Sequence, residues 1–226
     1  IASTAVPGHM RWTCAPGSRN GDERMKTVEF IFDFGSPNAY LAHRVVPEIE
    51  ARTGAKFVYH PCLLGGIFKA TGNRSPVEQF AGVRNKLDYE WLEIKRFVER
   101  YRVNAFRMNP HFPVNTLLMM RGALVAEDEG RLAPYVEACF RAMWEDGEKM
   151  DDPAVIATAL DDAGLDGQAI LERTREQAVK DRLIANTEGA VARGVFGMPT
   201  FFVGKEMFFG KDRLTQVEEE IIRTSV

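Results

Sequence analysis

The chain predicts an α/β fold in which a small mixed sheet is interrupted by a long helical insertion. Three observations carry this: a strand, helix, strand opening over residues 28–60, a stretch from Pro76 to Arg193 without a convincing strand, and a strand hairpin plus helix over residues 200–223. Each follows from a change in hydrophobic period, 2 in the flanks and about 3.6 between them.

The opening strand is "VEFIFDF", Val28 to Phe34, whose β-branched and aromatic residues suit a buried strand. Over residues 38–52 the apolar positions Leu41, Val45 and Ile49 recur every fourth residue, and Gly54 supplies a C-cap. Pro47 inside this helix is expected to kink it. "KFVYH", residues 56–60, alternates as a second strand, so the opening is a βαβ unit with parallel pairing and a right-handed crossover. In the middle, a helix over 77–101 carries Phe80, Leu87, Trp91, Ile94, Val98 and Tyr101, a stripe that reads as ordinary core. Further helices are expected to start at Pro113, Pro134 and Pro153, because proline costs nothing in a first turn. Thr200 to Val203 and Glu206 to Phe209 flank the turn at Gly204 and Lys205, an antiparallel hairpin. The last helix, 213–223, has Asp212 at its N-cap and buries Leu214, Val217 and Ile221.

Composition bounds the function. The 226 residues are 45 % hydrophobic and 27 % charged with net charge -3, enough for a filled core. With a pI of about 5.9 and no basic stripe, a nucleic-acid partner is not expected. No window reaches the ~18 apolar residues of a membrane span and no secretory signal is evident, so a soluble, cytoplasmic protein is expected. Cys14, Cys62 and Cys139 form no CxxC pair, which fits a reducing compartment. His9, His43, His60 and His111 show no ligand spacing, so no metal site is expected. Residues 1–25, rich in Gly, Pro, Ser and Arg and containing "GHM", read as a tag or disordered extension.

The element order is the thioredoxin-like layout with an α-helical domain spliced in: residues 26–75 and 194–226 form the thioredoxin-like domain, and 76–193 the inserted helical domain. Three motifs sit on that layout: "FDFGSPNAY" at 32–40, "LLGGIFKATGN" at 63–73, and "GVFGMPTFFVG" followed by "FFGKDRL". Together they resemble the 2-hydroxychromene-2-carboxylate isomerases and their relatives, the kappa-class glutathione transferases, within the DsbA-like branch of the thioredoxin fold.

At the first helix start, where disulfide oxidoreductases carry CxxC, this chain reads Ser36, Pro37, Asn38, Ala39, so no dithiol couple can form there. A helix N-terminus still favours an anion. A free thiol has a pKa near ~8.5, and lowering it by about two units takes about 2.7 kcal/mol of preferential stabilisation, within reach of a hydroxyl donor plus a helix end. The resemblance therefore implies that Ser36 stabilises the thiolate of bound glutathione, while the residue read alone is a helix cap. No His–Asp pair is placed to make it an attacking serine.

By the same resemblance, Pro199 is the cis-proline beside the active helix, and the backbone of Val195 or its neighbours takes the cysteinyl part of glutathione. Lys211 and Asp212 meet the γ-glutamyl end, Asn73 contacts the tripeptide and Lys69 reaches for its glycyl carboxylate. Asn109 and His111 in "NPHFPVNT" flank the acceptor pocket. The implied reaction is glutathione-dependent isomerisation of a 2-hydroxychromene-2-carboxylate-type aromatic acid to trans-o-hydroxybenzylidenepyruvate, in naphthalene-type aromatic catabolism, by a homodimer. A kappa-type transferase or peroxidase, and a relict thiol or peptide binder, are the alternatives.

Overall fold

The computed structural model describes residues 26–224. The extension expected over 1–25, with His9 and Cys14, lies outside the described residues. The sheet has order β2-β1-β3-β4. β1 (Thr27–Phe32) pairs in parallel with β2 (Lys56–Pro61) and antiparallel with β3 (Thr200–Val203), which pairs antiparallel with β4 (Glu206–Phe209). The mixed α/β architecture expected from the period changes is the one observed.

Helix α1 (Pro37–Thr53) links β1 to β2 and runs on through Pro47; Gly54 caps it in the left-handed region, its N–H reaching Glu50 O at 2.8 Å. The chain then forms α2 (Leu64–Thr71), α3 (Pro76–Phe80), α4 (Lys86–Tyr101), α5 (Leu117–Asp128), α6 (Leu132–Arg141), α7 (Pro153–Asp162), α8 (Gly167–Arg173) and α9 (Gln177–Ala192) before β3, and α10 (Leu214–Arg223) after β4.

Four of the boundaries that differ from the sequence reading do so for an evident local reason. β1 stops at Phe32 because Asp33 makes a turn: its carbonyl takes the Ser36 N–H at 3.1 Å and its carboxylate takes the Gly35 N–H at 2.8 Å. The helix expected over 77–101 is broken into α3 and α4, with Asn85 at φ 67° between them, a conformation Asn tolerates. The helix expected at Pro113 starts at Leu117, after a cis Phe112–Pro113 bond. Asp212 is not a helix N-cap: it lies in a 3₁₀ turn, Lys211–Arg213, that leads into α10.

The strand alternation of β1 sends Phe30 and Phe32 to one face and Ile31 to the other. The first face meets α1, α10 and the inserted helices in one continuous core, where the Phe34 ring lies 4.9 Å from Phe140 and 5.3 Å from Phe32. The Trp144 indole N–H donates to Phe34 O at 2.8 Å, tying the insertion to the end of β1. Within the insertion α5 and α6 approach closely at Gly122, where a Cβ would fall 2.2 Å from the Tyr135 hydroxyl. The second face buries Ile31, Cys62, Ile67, Val195 and Phe202 beneath α2 and α9.

Candidate active site

Ser36 is the N-cap of α1 and is buried. Its Oγ accepts the Ala39 N–H at 3.2 Å and donates to Met198 O at 3.2 Å, so one hydroxyl joins the helix start to the residue before the cis Met198–Pro199 bond. Pro37 at the first helical position has no N–H to give. The next residue, Asn38, carries a buried side-chain Oδ1 without a hydrogen-bond partner. Beneath the turn Asp33 is buried, its carboxylate taking N–H donors from Gly35 and Leu64, both at 2.8 Å. Burial pushes the Asp33 carboxyl up, against the backbone donors and Thr116 that favour its charged form.

Ser36 and Asn38 open onto a cavity of about 800 Å³, a size typical of small-molecule sites. Its lining is mixed, and Asn73, Arg74, Glu90, Lys211, Asp212 and Arg213 are among its polar members. Apolar side chains join them: Phe80, Leu87, Trp91 and Ile94 from α3 and α4, and Met108 and Phe112 from the loop before α5. Asn73 donates to Phe196 O at 2.8 Å and so pins the end of α2 to the segment before Pro199. In that segment Gly197 leaves room for Phe209, whose ring would lie 2.8 Å from an added Cβ. Lys211 is only 4 % exposed, its ammonium 2.7 Å from the Asp212 carboxylate and 5.0 Å from the Phe97 ring centroid. A buried cation held by one carboxylate and an aromatic face is a ready partner for a second anion.

The fold thus brings Ser36, Asn73, Pro199, Lys211 and Asp212 to one neighbourhood, with all but Pro199 lining the cavity itself. Four expected contacts fall elsewhere. Val195 is fully buried, with its N–H given to Ala190 O at 3.1 Å, and the cavity wall is made by Phe196, Gly197 and Met198 instead. Lys69 projects from α2 into a separate pocket, because α2 turns Leu64, Phe68 and Thr71 toward the main cavity and Lys69 away from it. Asn109 is buried and spends its side-chain amide on Met143 O at 2.9 Å and Glu148 O at 2.8 Å, and its Oδ1 on the His111 N–H at 2.8 Å. It knots the loop to the core, and His111 stands exposed off the cavity, which Met108 and Phe112 line in their place.

Sequence reasoning passed over Asp33, Asn38 and Trp91. Asp33 had a signal, an acid inside the apolar run "FIFDF". Trp91 was read as core; it is 38 % exposed and faces the cavity, since Phe97 is the buried residue of α4. No thiol of the described chain can act here. Burial pushes Cys62 and Cys139 each up to about 12, and neither lines the cavity. Among the described residues no group of His, Cys, Asp and Glu is arranged to hold a metal ion, and no helix is long and apolar enough to cross a membrane.

The family described as DSBA-like thioredoxin domain matches residues 27–222. A 2-hydroxychromene-2-carboxylate isomerase of Pseudomonas sp. (strain C18) is 31 % identical over 196 residues, 86 % of this chain and 89 % of that protein. The chain belongs to the 2-hydroxychromene-2-carboxylate isomerase family of DsbA-like thioredoxin proteins. A solved structure of an isomerase of this family superposes with TM-score 0.75 at 31 % identity, covering 88 % of this chain and 96 % of the other. The chain is also similar to human glutathione S-transferase kappa 1, 26 % identical over 207 residues, 84 % of this chain and 88 % of the transferase. Pseudomonas aeruginosa DsbA shares the fold, with TM-score 0.52 at 20 % identity, covering 94 % of this chain and 88 % of DsbA.

Proposed function

We propose that this protein is a glutathione-dependent isomerase of 2-hydroxychromene-2-carboxylate-type aromatic acids, forming the trans-o-hydroxybenzylidenepyruvate. The observation that carries the reading is a serine hydroxyl at a helix N-terminus, opening on a cavity lined by both charged and apolar side chains and, among the described residues, by no cysteine. The relatives named as isomerases and as a glutathione transferase support the same assignment.

The residues present fit glutathione. A tripeptide with two carboxylates and an ammonium matches a lining that offers Arg74, Lys211 and Arg213 together with Glu90 and Asp212. The orphaned Asn38 Oδ1 needs a donor that the chain does not supply. When bound, glutathione supplies a thiolate that adds reversibly to a conjugated carbon of the substrate, letting the ring open and a bond rotate. Ser36, whose oxygen the Ala39 N–H holds, would give its hydroxyl to the thiolate in place of Met198 O. Lys211 and Asp212 would hold the γ-glutamyl end, and Asn73 keeps the Phe196–Met198 segment in position. Trp91, Leu87 and Phe112 shelter the aromatic ring from water.

The test is turnover with sub-stoichiometric glutathione. Ring-opened product should accumulate in excess over the glutathione added, with the thiol titre unchanged at the end. Stoichiometric loss of thiol would instead assign the protein to the transferases, and absence of turnover despite glutathione binding would make it a relict binder.

A further inference from the structure

A second cavity, of about 400 Å³, opens on the other side of α2, between α2, α5 and α9. Its walls are apolar, with Leu63, Leu117 and Ile184 among them, and Ile184 is 55 % exposed in an otherwise helical surface. Three cations reach it, Lys69, Arg121 and Lys180, against one acid, Glu188. Arg121 is the informative one. It is the sole charge in the α5 run "LLMMRGALVA", and its Nε is buried without a hydrogen-bond partner. Neighbouring arginines are served differently: Arg182 is paired with Glu127 and Asp128, and Arg173 with Glu129 at 2.8 Å. Among the described residues no carboxylate lies within ion-pair distance of Arg121.

A guanidinium nitrogen removed from water without an acceptor is costly, and an oxyanion against the Arg121 guanidinium would offset that cost. Inorganic phosphate would satisfy the cations and leave the apolar walls wet. We propose that this cavity is a binding site for an organic monocarboxylate with an apolar body, its carboxylate on Arg121 and its body against Leu63, Leu117 and Ile184. The site is separate from the one that holds Ser36 and does not depend on the reaction assigned there. Lys69 and Lys180 add attraction at the mouth, which raises the rate of capture more than the affinity.

Decanoate below its micelle concentration is the probe, read by methyl resonances of isoleucine-labelled full-length protein. The Ile184 methyl, in this cavity, should shift saturably, while Ile94, in the Ser36 cavity, stays in place. Arg121→Gln should weaken the binding at least tenfold, and Lys69→Met, at an exposed position that folding does not need, by a smaller factor. Decanol at the same concentration and phosphate alone should each leave Ile184 unshifted. The proposal is overturned by an unmoved Ile184, by equal binding of decanol or phosphate, or by full affinity in a folded Arg121→Gln protein.

Discussion

The two walls of the main cavity are built differently. The wall with Ser36 rests on the sheet and on the continuous core, and its side chains are held by hydrogen bonds to Met198, Ala39, Gly35 and Leu64. The opposite wall, α3 and α4, buries Phe97 and little else, and shows Val77, Tyr89, Trp91 and Leu92 to solvent. A reaction centre needs atoms fixed to fractions of an ångström, whereas an apolar surface that receives an aromatic ring tolerates adjustment. The difference therefore separates chemistry from recognition, and substitutions on the two walls should fail in different ways.

The largest expected effect is on the rigid side. Phe34→Ala removes a fully buried ring between Phe32, Tyr135 and Phe140 and should cost about 3–5 kcal/mol in urea denaturation. A cost below about 1 kcal/mol would mean that this wall is as loose as the other. On the adaptable side, Trp91→Ala should leave the denaturation midpoint nearly unchanged and raise KM for the aromatic substrate roughly tenfold, equivalent to about 1.4 kcal/mol. A fall in kcat with KM unchanged would place Trp91 in the chemistry instead. The smallest effect concerns the seam between α1 and α6. There the His43 hydrogen bond, with Arg44 beside it, holds the Glu137 carboxyl down to about 2 from its ordinary 4.5. A depressed carboxyl stabilises the fold above its unfolded value and stops doing so as pH falls. Glu137→Gln should therefore cost less than about 1 kcal/mol at pH 7, and thermal denaturation should show the gap closing between about pH 4.5 and 2. A gap that persists at pH 2 would trace the loss to packing.

The parallel opening, α1 with its caps and the closing hairpin were legible because strand and helix periods differ, and because Ser36, Pro37 and Gly54 mark the ends of α1 chemically. The break after Phe80 was not, since the apolar spacing of 77–101 continues across it and only Asn85 and Gly82 hint at a turn. Ser36, Asn73, Lys211 and Asp212 could be placed at one cavity because motifs carry them. Asn109 and Lys69 misled for a common reason: a polar residue near a motif says nothing about which side of its element faces the cavity. For Lys69 that depended on how α2 lies between α9 and the Ser36 wall, a tertiary fact.

The role of Ser36 can be measured directly. Ultraviolet absorbance of the thiolate, followed against pH with glutathione bound, should place the bound thiol about two units below the ~8.5 of a free thiol, and Ser36→Ala should raise it by at least about one unit, or 1.36 kcal/mol. Identical titration curves for the two proteins would contradict the account, leaving Ser36 as the cap of α1 and nothing more.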